Sequence, residues 1–528
     1  MRSQLVRTAG VITLALTCIC AVPSSAADDP APNSAAYQLQ LADVQLPAGD
    51  GHPIDRLLAP YFVKHAVTPD ASVSDERFAR RVALDVLGIP PTNRQLSEFL
   101  GDQRADKRRH FVERLLTDRE NYVGHWMTFW SDHLRIGSDI DAGAFDSDHS
   151  KAPRDWLKAQ LDRDLPYDRF VQELIAGEFF ERYSQSVAPS GEVASAVDIP
   201  EMQVATIVSQ VFLGVQLKCA SCHDSFIDRW TLEDAWGLAS ALGDREFEIH
   251  RCQEATGQKV GPKFPLVGLG EIDPHADQKQ RRHRVAEIMT GPENGLFART
   301  IVNRLWARLF GRGLVEPLDE MMEQQPWNVE LLDWLAGELI RQKYDLKQIL
   351  LAITTSKAYQ LPAVVREAAN SKQAYVFRGP EIRRQSAEQI IDALYVLGNP
   401  PPDNTLQIRL PQRSWQQDNN RLMIMLGRPG RDVVVTWREQ DSTALVALEL
   451  MNGPELQRLV QQAAEAQLKQ SSAAPDFSLR VYWTLLARPP TAEEQHTAAE
   501  LLSSLPNQET AQDLIWTIVM LPEFQLIP

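Results

Sequence analysis

The sequence predicts a mainly α-helical protein of two helical domains, with at most a minor β element near residues 433–437. Three observations carry this reading. Apolar residues recur at helical steps, as in Phe297, Ile301, Leu305 and Leu309, and nothing alternates with period two for long enough to make a sheet. A chain of 528 residues is too long for one ordinary core. Residues 243–282 mix charges with Gly and Pro and lack sustained apolar periodicity, so they read as a linker between domains at 53–242 and 283–528.

Taken in order, the chain begins with Arg2 and Arg7 ahead of the apolar run GVITLALTCICAV, followed by the small residues Ser24 and Ala26. Residues 1–26 therefore read as a signal peptide, and the mature protein is expected in the periplasm or outside the cell. The apolar run is too short to span a bilayer comfortably and no later segment approaches that length, so no transmembrane segment is expected after its removal. Residues 27–52, rich in Ala, Pro and Asp, read as a flexible leader. The formal net charge of -16 argues against a nucleic-acid partner, because binding phosphates takes basic clusters. It allows a basic protein partner or a neutral substrate; the partner expected is a redox or envelope protein.

Helical patterning starts at IDRLLAPYFVKHAV and continues in DERFARRVALDVLG, which Ser74 can cap and Gly88 can end before Pro90 and Pro91. After RQLSEFLGD and KRRHFVERLLTD comes NYVGHWMTFWSDHLRIG, where Trp126 and Trp130 share one helix face and Phe129 extends it. Such a face packs a core or walls a pocket for a flat apolar group. Pro166 separates the next two helices, and MQVATIVSQVFLGVQL then leads into the motif that organises this half.

Within Val215–Trp230, Cys219, Cys222 and His223 form C-x-x-C-H, the attachment signature of a c-type haem. Two thiols on adjacent turns can add to the two vinyl groups of one porphyrin, and the imidazole that follows is held where it can ligate iron. The same C-x-x-C also suits a dithiol redox pair or half of a zinc site. His250 and Cys252 are poorly spaced to complete the latter. Once the signal is removed three Cys remain; if haem takes Cys219 and Cys222, Cys252 is a lone thiol, expected to be buried, and if not, any pairing leaves one of the three unpaired. Met202, His250, His133 and His125 are candidates for a second axial ligand.

The second half offers no G-x-S-x-G, no phosphate-binding Gly loop and no H-E-x-x-H, hence no recognisable catalytic set. Asn303, Arg304, Arg308 and Arg312 either pair acids and anchor loops or bind an anionic group. VVVTW, residues 433–437, is the best strand candidate. QRLVQQAAEAQLKQ reads as a solvated helix with one apolar stripe.

IDRLLAPYF, RRVALDVLGIPPT, HWMTFWSDHLR, DWLKAQLDRDLPYDRFVQELIAGE and VFLGVQLKCASCHDSFIDRWTLEDAWGLASAL occur here in that order. Over residues 54–242 this set resembles the planctomycete-type cytochrome c domain proteins. The block from His283 onward, with VNRLW and YWTLLARPPTAEEQ, resembles the partner domain that usually follows. The resemblance implies an exported protein with covalent haem c on Cys219 and Cys222 and His223 as iron ligand, and it assigns no activity to the partner domain. One-electron transfer is the expected function. The alternative is a non-catalytic envelope scaffold or interaction protein, tied to polymer degradation, in which C-x-x-C is a structural disulfide. The chain departs from the family pattern at three places. Ser225 and Phe129 stand where His is common, and GRPGRDVVVTWRE lacks the Cys-Glu-Cys-Glu-like segment often found there.

Overall fold

The structure, a computed structural model, describes residues 39–137, 147–188, 197–366, 374–400, 410, 412–417, 421–470, 473–503 and 506–528. The expected signal peptide and the first part of the expected leader lie outside these. The fold is mainly α-helical with minor β structure, as the sequence predicts.

The first half opens with α1 (Pro53–Lys64), where Pro53 sits at a position whose N–H would have no helical partner anyway. Helix α2 (Asp75–Leu87) is capped by Ser74, whose hydroxyl accepts the Arg77 N–H at 3.4 Å, and it ends at Gly88 in the left-handed region. A Thr92–Gln95 capping box starts α3 (Asn93–Gly101), and α4 (Lys107–Leu116) leads to α5 (Arg119–Leu134). Helix α5 is buried on all sides from Asn121 to Leu134, so it forms the axis around which its neighbours pack. Then follow α6 (Ser147–Asp162), α7 (Tyr167–Ala176), α8 (Phe180–Val187), α9 (Pro200–Val208) and α10 (Leu232–Leu242).

The stretch read as a linker contains an antiparallel hairpin, β1 (Phe247–Arg251) and β2 (Glu254–Val260). Phe247 and Ile249 are buried, and the Phe247 ring lies 6.1 Å from that of Trp236 on α10. Beyond it come α11 (Gln278–Thr290), α12 (Gly295–Phe310), α13 (Val329–Arg341), α14 (Leu346–Thr355) and α15 (Lys357–Gln360). The stripe Phe297, Ile301, Leu305 and Leu309 on α12 is fully buried. The chain then makes the short strand β3 (Arg383–Arg384), α16 (Ala387–Gly398), α17 (Arg421–Met425), α18 (Ala444–Asn452), α19 (Pro454–Gln470), α20 (Ala474–Leu486), α21 (Ala492–Leu502), α22 (Gln508–Met520), α23 (Pro522–Gln525) and β4 (Leu526–Ile527). Helices α16 to α22 share one apolar core, to which α19 contributes Leu456, Leu459, Val460 and Ala463. Strand β3 pairs with β4.

Val433–Trp437 forms no strand. Its β-branched residues suit a sheet, but among the described residues no partner strand pairs with it, and the Val435 N–H instead donates to the Asp132 carbonyl at 3.0 Å near the end of α5. The minor β structure is therefore in the hairpin and in β3–β4.

The two halves form one compact unit. Helix α4 packs on α14 and α7 on α11. The Asp55 carboxylate accepts the N–H groups of Lys357 and Ala358 at 2.9 and 3.0 Å, starting α15. Arg81 donates to the carbonyls of Tyr359 and Leu361. Residues 39–42, within the expected leader, are bonded into the second half. The Leu39 carbonyl accepts from Gly295 at 2.8 Å, and the Ala42 N–H donates to Asp333 at 3.1 Å. Among the described residues no helix is long and apolar enough to cross a membrane.

Candidate functional site

The C-x-x-C-H motif is delivered by an irregular helix end. Helix α9 widens into a π-helical turn at Ser209–Leu213 and stops at Gly214, φ 63°. A Cβ on Gly214 would stand 2.3 Å from Cγ of Met321, so only glycine lets the chain turn here. The backbone then makes a single 3-10 turn at Cys219–Ser221, closed by the Cys222 and His223 N–H groups donating to the Cys219 carbonyl at 3.2 and 3.3 Å. Two further bonds hold the turn in place. The Trp236 indole N–H donates to the Ser221 carbonyl at 3.1 Å, and the Cys252 N–H donates to the Cys222 carbonyl at 3.0 Å.

Cys219 is exposed, Cys222 half-buried, and neither is bonded to another cysteine. The His223 ring is half-buried; its Nδ1 lies 2.8 Å from the Asp224 carbonyl oxygen, so Nδ1–H donates there and Nε2 keeps its lone pair. That is the tautomer a metal-ligating imidazole adopts when a carbonyl orients it. Phe226, stacked on His223 with ring centres 4.7 Å apart, is 87% exposed, and Ile227 is 80% exposed. Thiols, imidazole and apolar surface thus lie on one exposed turn, a donor set that fits a covalently held porphyrin. Cys252 is exposed, contrary to expectation, because it occupies the hairpin turn with φ 57° and its side chain has no core to enter.

The four second-ligand candidates separate. His250 is on β1, in the hairpin that touches the motif; its ring stacks on Trp236 at 5.6 Å and its Nδ1–H donates to the Glu248 carbonyl at 2.9 Å. Met202 is buried on α9. His125 and His133 belong elsewhere, as do Trp126, Phe129 and Trp130. The neighbours of Trp126 and Trp130 are Tyr122, Tyr167 and Phe170, which makes these rings core. Among the described residues no three His, Cys, Asp or Glu side chains are grouped to hold a metal ion, which leaves the zinc reading without a ligand set.

His125 and His133 line a polar cavity of about 110 Å³ where α5, α12, α16, β4 and the segment 426–440 meet. Positions i, i+4 and i+8 of α5 present His125, Phe129 and His133 on one face, and Arg304 and Arg308 face them from α12. Two of the departures from the family pattern, Phe129 and Val435–Trp437, therefore lie in the wall of the same cavity. Around it the guanidinium groups are paired one after another. Arg383 holds Asp85 at 2.6 and 2.9 Å, Arg413 holds Asp392 at 2.7 Å, and Arg304 holds Asp319 at 2.8 Å. Arg438 bridges Asp132 and Glu388, both at 2.7 Å, Arg431 reaches Asp132 at 2.9 Å, and Arg428 lies 3.5 Å from Glu388. The surrounding cations hold the Glu388 carboxyl far below the usual carboxylate range despite its burial, and the two carboxylates raise Arg438.

Arg308 differs. Its Nη2 donates to Nε2 of His125 at 3.0 Å, its guanidinium lies 5.5 Å from the ring centres of Trp126 and Phe129, and among the described residues it has no carboxylate within ion-pair distance. Burial and the neighbouring Arg438 push it down to about 10. Burial also drives His125 well below its ordinary value and His133 down to about 3, so both are neutral at physiological pH. Of the four residues singled out in the second half, Asn303 anchors the loop at Leu314 and Val315, and Arg312 pairs with Glu381 at 2.8 Å. Arg304 pairs as above. The acids of this network were not legible as a site, because Asp85, Asp132, Asp319, Glu388 and Asp392 are scattered along the sequence; the only signals were the VNRLW run and the GRPGR segment.

The family model PSCyt2, a protein of unknown function (DUF1549), matches residues 53–246, and the model PSD1, a protein of unknown function (DUF1553), matches residues 281–502. No curated protein and no solved structure matches the chain.

Proposed function

We propose that this chain, which carries a PSCyt2 domain at residues 53–246 followed by a PSD1 domain at residues 281–502, is an exported c-type haem protein that passes single electrons between protein partners outside the cytoplasm. Cys219 and Cys222 would hold haem c as thioethers and His223 would ligate its iron. The observation that carries this reading is the pair of unbonded thiols set one turn from an imidazole whose Nε2 is free. A haem held there would supply an iron able to change between ferric and ferrous, and so to exchange one electron with a reduced and an oxidised partner. The chain's part is positional. The Asp224 carbonyl keeps the His223 proton on Nδ1, Trp236 and Cys252 pin the turn, and Phe226 with Ile227 offers an apolar surface beside it.

Maturation of the exported protein in a host with haem-attachment machinery tests this. Mass spectrometry should find one haem added, with a visible spectrum of thioether-bound haem. Cys219→Ser with Cys222→Ser should abolish the adduct while leaving the helical fold, and His223→Ala should retain the adduct with an altered spectrum. Wild-type protein without haem, with Cys219 and Cys222 bonded to each other, would replace this reading with the envelope scaffold.

A further inference from the structure

Burying a guanidinium is costly unless a counter-charge comes with it. Among the described residues, the network around the α5–α12 cavity holds seven guanidinium groups against five carboxylates, with both imidazoles neutral, and Arg308 is the cation left without an acid. At the mouth, half-buried Arg384 and exposed Glu439 offset each other, so the excess of positive charge belongs to the interior.

Unused hydrogen-bonding atoms sit in the same wall. Arg304, 2% exposed, has Nε and Nη1 without partners. His133, also 2% exposed, donates Nδ1–H to the Phe129 carbonyl at 2.8 Å and leaves Nε2 as a buried acceptor with no partner. Both residues line the cavity, so its wall offers two complementary kinds of unused group: donors on guanidinium groups and one lone pair on a neutral imidazole. Buried polar atoms in native proteins are nearly all satisfied, and exceptions point to something that completes them.

We propose that this cavity binds a small oxyanion that still carries a proton, of which hydrogen phosphate is the type. Its oxygens accept from Arg304 and Arg308, its two negative charges match the excess of two guanidinium groups, and its hydroxyl donates to Nε2 of His133. Sulfate has the same shape and charge but no proton to donate at neutral pH, so it leaves His133 unsatisfied. Gly427 and Glu439 are exposed members of the lining and mark the way in. This inference is independent of haem at Cys219 and Cys222.

Isothermal titration of the full chain with inorganic phosphate and with sulfate, in a buffer free of both, tests the assignment. Phosphate should bind at least tenfold more tightly than sulfate, and it should raise the thermal midpoint. Arg308→Gln should weaken phosphate binding by about ten- to a hundredfold, the effect of losing a charged donor. His133→Phe keeps a ring against Phe129, whose centre lies 4.1 Å from that of His133, and should bring phosphate to the level of sulfate while leaving sulfate unchanged. A wild-type chain that ignores phosphate, or one that binds the two anions equally, overturns the proposal. So does a His133→Phe chain that still prefers phosphate.

Discussion

Asp85 ties the two halves together, and its removal has a cost that can be worked from the structure. The carboxylate is 2% exposed and accepts from both terminal nitrogens of Arg383, at 2.6 and 2.9 Å, and from the Tyr359 hydroxyl at 2.6 Å. Burial and the Asp85 charge hold Tyr359 well above the usual phenol range, so it stays a donor. Asp85→Ala leaves a buried guanidinium and a buried hydroxyl without their acceptor. Orphaning a buried charge costs about 3–5 kcal/mol, and an orphaned hydroxyl about 1–3 kcal/mol. Because both lose the same acceptor the two do not simply add, and about 4–6 kcal/mol is expected. Arg383→Met in the same chain removes the orphaned charge, so the double variant should recover about 2–3 kcal/mol relative to Asp85→Ala. Urea unfolding followed by tryptophan fluorescence and by far-ultraviolet circular dichroism measures both values. A loss below about 1 kcal/mol for Asp85→Ala would refute the reasoning, as would a double variant no more stable than the single one.

The remaining predictions concern the same helices. Gly88→Ala should destabilise by about 2–3 kcal/mol. Its φ is 72°, and a Cβ would stand 2.2 Å from Nδ1 of His125, displacing the ring that Arg308 bonds; an unchanged melting midpoint would contradict this contact. His125 and His133 are held neutral in the folded protein, while in the unfolded chain they take up protons below about pH 6.5. The unfolded state therefore binds more protons between that pH and about 3, the folded value for His133. Stability should fall as pH drops through this window, by about 1.4 kcal/mol per unit for each group. His133→Phe should flatten the slope of urea midpoint against pH, and a slope equal to wild type would show that His133 is solvated.

What was legible in the sequence follows from the range over which each feature is encoded. Ser74 and Gly88 end their helix through neighbouring residues, and the α12 stripe repeats every four, so both could be read locally. The β1–β2 hairpin could not, because Glu254–Lys259 is exposed on all its residues and shows no alternation. Val433–Trp437 misled in the opposite sense. Its residues favour a strand wherever one can pair, but the segment is used to carry Thr436 and Arg438 to Asp319 and Asp132. The C-x-x-C-H motif announces itself in five residues. The arginine cavity is spread from Asp85 to Arg438, and no window of sequence could have assembled it.

The charge network also has an order in time. Every guanidinium in it, from Arg304 to Arg438, belongs to the second half, whereas Asp85 and Asp132 come from the first. A ribosome makes the acids first and the guanidinium groups more than a hundred and fifty residues later. Until both are present, the second half has, among the described residues of this network, only Asp319, Glu388 and Asp392 to neutralise seven cations, and closing its interior would trap four of them unmatched. The first half thus serves its sequel as an attached counter-ion, and synthesis of the second half alone should yield a chain that stays open until the first is supplied.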